Sequence, residues 1–312
     1  MILASLIMPV FNSELYIEEC LKSIVDQTFN NFELIIIDDN STDNSLNIIN
    51  KFASIDQRII VIRNEINKGV SNSRNIGIKE SKGEFLFFID SDDVLKCNYL
   101  EKMIDEQIKN KNKLVISSFQ YIDEENVLGK KKINQIEKKG GIKTLLFENG
   151  YLWNKCFERN IIQDNNLSME DYTIREDLLF VIKYSKFTNG YLLLTDILYF
   201  YRKHNASSSH KISDNVFDSY YVSKKLQYLS DDDKNFVRIV TAELKSTMSI
   251  YLLKLKNSGD KKRFLKLWKI YQRESYLTLQ EFNKLPKKRK IWYLFFLMNL
   301  PMLKKYYRKL EK

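Results

Sequence analysis

From Ala4 to Ile89 the chain alternates short apolar runs of β type with amphipathic stretches at helical spacing, a rhythm that fits βαβ units building a parallel sheet. Ala4–Met8, Glu33–Ile37, Ile59–Ile62 and Glu84–Ile89 read as strands. Between them, Glu14–Val25 gathers Leu15, Ile17, Leu21, Ile24 and Val25 on one helical face, and the next helix does so with Leu46, Ile48, Ile49 and Phe52 behind a cap at Ser41 or Thr42. Ser73–Ser81 reads as a third helix. The expectation is an open α/β sheet of about four parallel strands, which binds ligands beyond the carboxyl ends of its strands.

Further along, Tyr99–Lys109 reads as helix, Lys113–Tyr121 as strand and Asp177–Ser185 as an acid-led helix. Phe217–Leu229, Asp233–Leu255 and Lys261–Tyr271 then form a run of helices, with breaks at Ser230 and at Ser258-Gly259. A chain of 312 residues that is 44% hydrophobic with nine glycines folds, and its length suits two domains or one domain carrying a long helical annex, of which the second is expected. The boundaries expected are 1–210 for the main domain, with halves 1–95 and 96–210, and 211–312 for the extension. Three scattered cysteines exclude a disulfide framework, and two histidines exclude a multi-histidine centre, so any metal is a hard cation held mainly by oxygen ligands.

Two acidic clusters follow strands of the same sheet. Asp38-Asp39-Asn40-Ser41-Thr42-Asp43 closes the second strand and Asp90-Ser91-Asp92-Asp93 the fourth. Each alone is an ordinary turn or helix cap. Together on one rim, with no basic neighbour in sequence, they repel unless a cation or hydrogen-bond donors compensate, which points to a divalent ion and a sugar-nucleotide. In a strand-end Asp-x-Asp one carboxylate can grip a metal while the other accepts ribose hydroxyls. The metal in turn makes a diphosphate a better leaving group.

The run Ser5-Leu6-Ile7-Met8-Pro9-Val10-Phe11-Asn12, with Ile36-Ile37-Asp38-Asp39, Asn67-Lys68-Gly69-Val70-Ser71, Arg74-Asn75-Ile76-Gly77 and Phe88-Ile89-Asp90-Ser91-Asp92-Asp93, resembles the inverting glycosyltransferases of family 2 over about the first 205 residues. The resemblance implies a GT-A fold: a Rossmann-like open mixed sheet flanked by helices, here with a C-terminal α-helical extension. It implies that Pro9, Val10, Asn12, Glu14, Asn67 and Ser91 line the nucleotide site, that Asp39 reads uracil, that Arg74 reaches base or phosphate and that Asp90 holds the ribose. Asp92 would bind Mn2+ or Mg2+, with His204 as a further ligand. The pair Glu176-Asp177 in Arg175-Glu176-Asp177-Leu178 would supply the general base that activates an acceptor hydroxyl, Asp177 in preference to Glu176. The donor implied is a UDP-sugar carrying a hexose or N-acetylhexosamine, and the acceptor a glycan or lipid-linked saccharide of a surface polysaccharide. Trp153-Asn154-Lys155 would face the acceptor or pack in the core, and a serine-rich loop at Ser207–Ser209 would close over the diphosphate.

Charge is uneven: Ile250–Lys312 holds 18 basic and four acidic residues, a net of +14, which leaves −4 for the rest of a chain whose total is +10. Lys287-Lys288-Arg289-Lys290 and Lys304-Lys305 flank an apolar stretch with Trp292, Phe295 and Phe296, too short to span a bilayer and suited to lying on an anionic membrane. Burial of those aromatics against the extension or a second copy of the chain is the competing reading. No nucleic-acid module accompanies the basic end. With no signal peptide in the run Ile2–Val10, the expectation is a cytoplasmic protein at the inner face of the membrane. A sugar nucleotidyltransferase, the competing enzyme class, normally carries a glycine-rich phosphate loop near the first strand, and Pro9–Glu14 here contains no glycine. The intact Asp90, Asp92 and Asp177 argue against an inert sugar-nucleotide-binding scaffold.

Overall fold

The computed structural model describes residues 2–111, 113–132, 150–172, 175–204, 215–229, 234–273, 283 and 287–311. The chain divides into two compact units, Met1–Lys211 and Ile212–Lys312. In the first, β1 (Ala4–Val10), β2 (Phe32–Asp38), β3 (Ile59–Arg63) and β4 (Phe85–Phe88) are parallel, in the spatial order β3-β2-β1-β4. Helices α1 (Ile17–Val25), α2 (Ser45–Ile55) and α3 (Val70–Glu80) connect them. The order reverses between β1 and β4, so the loops leaving those two strands diverge and open a crevice at their carboxyl ends.

β1 runs two residues beyond the expected Met8, and the addition includes Pro9. β4 pairs β1 only from Ala4 to Ile7, so the missing proline amide lies past that ladder and leaves no gap in it. Gly77 brings α3 close onto β1, because a Cβ there would collide with Ile7 Cγ2. The second helix starts later than its sequence suggests. Ser41 and Thr42 stay in the preceding loop, Asn44 holds the N-cap position, and Asp43 Oδ1 accepts the Ser45 amide at 3.0 Å.

The remainder of the unit is antiparallel or mixed. β8 (Lys155–Glu158) runs antiparallel to β4, and β6 (Leu114–Ile122) antiparallel to β8. β9 (Tyr191–Arg202) lies parallel to β6 with register shifts, β5 (Val94–Leu95) pairs β9, and β7 (Leu128–Lys132) pairs β6. Helices α4 (Tyr99–Lys109), α5 (Arg159–Asp164) and α6 (Glu176–Ser185) complete it. Trp153 is 4% exposed, stacked on Tyr151, Tyr199 and Tyr201 and edge-on to Phe119. That settles its place as core packing.

The second unit contains, among the described residues, α7 (Asn215–Tyr228), α8 (Lys234–Ser258), α9 (Lys261–Arg273) and α10 (Lys287–Glu311). Their core joins Met248, Leu252, Phe264, Leu267, Trp268, Tyr293 and Leu303. α8 extends to Ser258 and stops at Gly259, whose φ of 76° is the left-handed geometry that glycine adopts without strain. No described helix is long and apolar enough to cross a membrane. Ser230, Asn205, the loop Ser207–Ser209 and the side chains of Trp292, Phe295 and Phe296 lie outside the described residues.

Candidate active site

Three loops meet at the carboxyl ends of β1, β2 and β4. Asn12 takes a left-handed φ of 52°, which turns the chain after β1 and lets its side-chain oxygen accept the Thr42 amide at 2.9 Å. Its own amide donates to Ser41 Oγ at 3.1 Å. Glu14 is exposed and accepts the Asn44 amide at 2.8 Å, while Asp43 accepts the Glu14 amide at 3.0 Å. Ser13 meets Ser91 hydroxyl to hydroxyl at 2.7 Å. The acidic loop after β2 is thus laced to the loop after β1 by backbone amides, and that loop to the one after β4. Ser13 and Ser45, which take part in this lacing, carry no periodic or charge signal that would reveal it in sequence.

Asp39 is buried and saturated on one oxygen. Oδ1 accepts Asn64 Nδ2 at 2.7 Å and the Lys68 amide at 2.8 Å, and Oδ2 accepts the Gly69 amide at 2.8 Å. A carboxylate has about four acceptor positions, so one remains on Oδ2 for a ligand N–H. Gly69, at φ 85°, is the glycine that lets its amide turn inward. Asn67 stands exposed in the same loop. Pro9 is half-buried, and Val10 is buried in the floor, its carbonyl accepting the Asp39 amide at 2.8 Å.

Beyond β4, Asp90 Oδ1 accepts Arg74 Nη2 at 2.9 Å, and the same guanidinium donates Nη1 to Glu176 Oε1 at 3.1 Å. Arg74 is only 7% exposed, so both are ion pairs largely out of water. Asp92 Oδ2 lies 2.7 Å from His204 Nε2, and no described partner reaches His204 Nδ1. Arg202 braces this corner. Its Nε donates to the Asp92 carbonyl at 2.8 Å, its amide to Asp93 Oδ1 at 2.8 Å, and its Nη2 to Glu19 at 2.7 Å.

Glu176 and Asp177 open α6 behind Arg175, which sits in the left-handed region at φ 63°. Burial and then the adjacent Glu176 push the Asp177 carboxyl up to about 7, against a partial lowering by Arg74. Asp177 Oδ1 accepts the Leu178 amide at 2.6 Å, which leaves the second oxygen to take a proton. Lys155, from the stretch Trp153-Asn154-Lys155, is fully buried. Its burial lowers it to about 7, the Asp177 charge works against that, and its Nζ donates to Asn154 Oδ1 at 2.8 Å.

The profile of glycosyl transferase family 2 matches residues 5–168, slightly more than half of the chain. The chain belongs to glycosyl transferase family 2. EpsH of Bacillus subtilis is 32% identical over 281 residues, spanning 84% of this glycosyltransferase and 80% of EpsH. The Escherichia coli protein WfgD, a UDP-Glc:alpha-D-GlcNAc-diphosphoundecaprenol beta-1,3-glucosyltransferase, is 34% identical over 189 residues, spanning 53% of this chain and 72% of WfgD. Among solved structures, Staphylococcus aureus TarS 1-349 in complex with UDP-GlcNAc superposes with a TM-score of 0.72 at 20% identity, covering 98% of this chain and 92% of that one. At that identity the likeness speaks to the fold, and the GT-A architecture expected of a family 2 glycosyltransferase is the one observed.

No cluster of three or more His, Cys, Asp or Glu side chains placed to hold a metal ion occurs among the described residues. The Asp92–His204 pair still fits a hard cation, because it converges one oxygen and one nitrogen donor at a part-buried corner. The diphosphate of a donor would complete such a shell, as these ions commonly keep non-protein ligands.

Proposed function

We propose that this family 2 glycosyltransferase moves a hexose or an N-acetylhexosamine from a UDP-sugar to a hydroxyl of a glycan or lipid-linked acceptor, with inversion, in the synthesis of a bacterial surface polysaccharide or related glycoconjugate. The observation that carries the reading is the convergence of Asp90 and the Glu176–Asp177 pair on one buried guanidinium, with Asp177 poised near neutrality. Asp39 accepts the uracil N–H and Asp90 the ribose hydroxyls. Asp92 and His204 hold Mn2+ or Mg2+, which when bound neutralises the diphosphate. Asp177 accepts the acceptor hydroxyl proton as its oxygen bonds to the anomeric carbon, and the bond to UDP breaks with the electron pair leaving on phosphate oxygen. The WfgD name, pairing a UDP-glucose donor with a diphosphoundecaprenol-linked sugar, supports the donor and acceptor classes.

Residues 1–95 serve the donor in this reading, 96–210 the acceptor, and 211–312 contribute the basic extension. An acceptor on a lipid fits a chain whose basic end rests on the inner, anionic face of the cell membrane. On α10 the exposed Ile291, Leu294, Met298 and Met302 recur at three- and four-residue spacing and share one face, opposite buried Tyr293 and Leu303. Sedimentation with vesicles rich in phosphatidylglycerol tests this, and a dimer without vesicle binding would assign the face to a second copy instead. For the chemistry, calorimetric titration with UDP and Mn2+ should show Asp92→Ala losing metal-dependent affinity while Asp177→Asn keeps it and loses transfer. Unchanged affinity in the first variant would overturn the metal assignment.

A further inference from the structure

Among the described residues, the Arg74 side chain bridges the donor loop and the start of α6. Arg74 stands in the second turn of α3, buried, with one terminal nitrogen on Asp90 and the other on Glu176, residues that leave β4 and open α6 respectively. Its Nε is buried without a hydrogen-bond partner among the described residues, so its hydrogen bonds there all run through the two terminal nitrogens. Asp90 and Glu176 are 86 positions apart and do not share a strand, a helix or a loop. The left-handed Arg175 immediately before Glu176 is a conformation that a non-glycine residue holds only when its surroundings impose it.

We propose that Arg74 is a positioning residue for the base, holding the Glu176–Asp177 end of α6 to the loop that carries Asp90. The inference rests on the reading of Asp177 as the base. Two carboxylates side by side at a helix start repel, and the guanidinium both aims Glu176 away from the reacting centre and supplies the counter-charge that keeps Asp177 able to ionise. The groups that act on Asp177 are Glu176 on its own helix, Arg74 from α3, Asp90 from the β4 loop and, from the β8 side, Lys155 and Tyr151. Among these Arg74 alone touches both carboxylate-bearing segments. Its loss therefore changes the geometry and the proton affinity of the base together, although Arg74 itself never meets the acceptor.

The test is a carbon-13 NMR titration of the full chain labelled at aspartate carboxyls, with Asp177→Asn assigning the signal. Arg74→Met should move the Asp177 midpoint up by about one unit, Glu176→Gln should move it down by about one unit, and Arg74→Lys should restore most of the wild-type value. A helper that merely filled space would leave the midpoint alone in the first variant and gain nothing from the lysine. An unmoved Asp177 in Arg74→Met, or shifts of one sign in Arg74→Met and Glu176→Gln, would overturn the proposal. Should Arg74→Met fail to fold, an unmoved Asp177 in Glu176→Gln overturns it alone. The base reading falls separately: transfer retained by Asp177→Asn defeats it whatever the titrations give.

Discussion

Asp39 and Asp177 are the same functional group in opposite company. Asp39 is met by three N–H donors, two of them backbone amides of one loop, so the chain around it is shaped to receive a carboxylate. Asp177 has its own helix amide at 2.6 Å, a like charge next door and little water, so its surroundings favour the protonated form. The contrast teaches that the rim after β2 is built to hold a negative group still, whereas the start of α6 favours the protonated form of its carboxyl. Backbone amides cannot be mutated away singly, whereas the balance at Asp177 depends on a few side chains.

The sharpest break of that contrast is pH. Activity through Asp177 requires its ionised form, so the turnover of UDP-sugar should fall about tenfold per unit below about 7, and to roughly a hundredth by pH 5. A flat profile across that window would show that transfer does not depend on the Asp177 proton. Next in size, Asp39→Asn keeps one acceptor oxygen but turns an NH2 toward N–H donors on the other side, the Gly69 amide or the Lys68 amide and Asn64. UDP affinity should drop about tenfold by calorimetry, for about 1–3 kcal/mol of unsatisfied donors.

Stability gives a third, opposed signature. With Asp177 near 7 in the fold and about 3.9 when unfolded, the folded chain keeps a proton that the unfolded chain releases, so stability is lost as pH climbs through that interval. Asp177→Asn should therefore melt a few degrees above the wild type at pH 8 and level with it at pH 4, as calorimetry would show. A variant less stable at pH 8 would mean that the carboxylate is held as firmly as Asp39. The smallest effect is expected of Gly69→Ala. Open space surrounds the position, yet its φ of 85° strains any Cβ, and chemical denaturation should register a loss of about 1 kcal/mol with a modest weakening of UDP binding.

The parallel half of the sheet was legible because four apolar runs end in acidic or polar punctuation, and strand pairing then needs no further information. The antiparallel half hid itself for physical reasons. β5 is two residues long, β7 is the exposed and lysine-rich Leu128–Lys132, and β8 buries Lys155 and Glu158 among its four residues. None of these carries alternation. Within the site, Asp39, Asp90 and Asp92 announced themselves by clustering at strand ends. Glu176 and Asp177 did so only through family resemblance, since acids in a first turn are ordinary. The backbone inversion at Arg175 and the bridging posture of Arg74 depend on chain segments far apart in sequence, which local pattern does not encode.

Arg202 pins the end of β9 to Asp92, Asp93, Asp123 and Glu19, and His204 follows two residues later. The chain between those residues therefore works as a fixed-length spacer. One inserted residue would carry the imidazole about 3.3 Å onward and turn it to the other face, a displacement larger than its 2.7 Å reach to Asp92. A length-preserving substitution of the residue between Arg202 and His204 leaves that spacing in place, whereas an insertion or deletion breaks the Asp92–His204 contact.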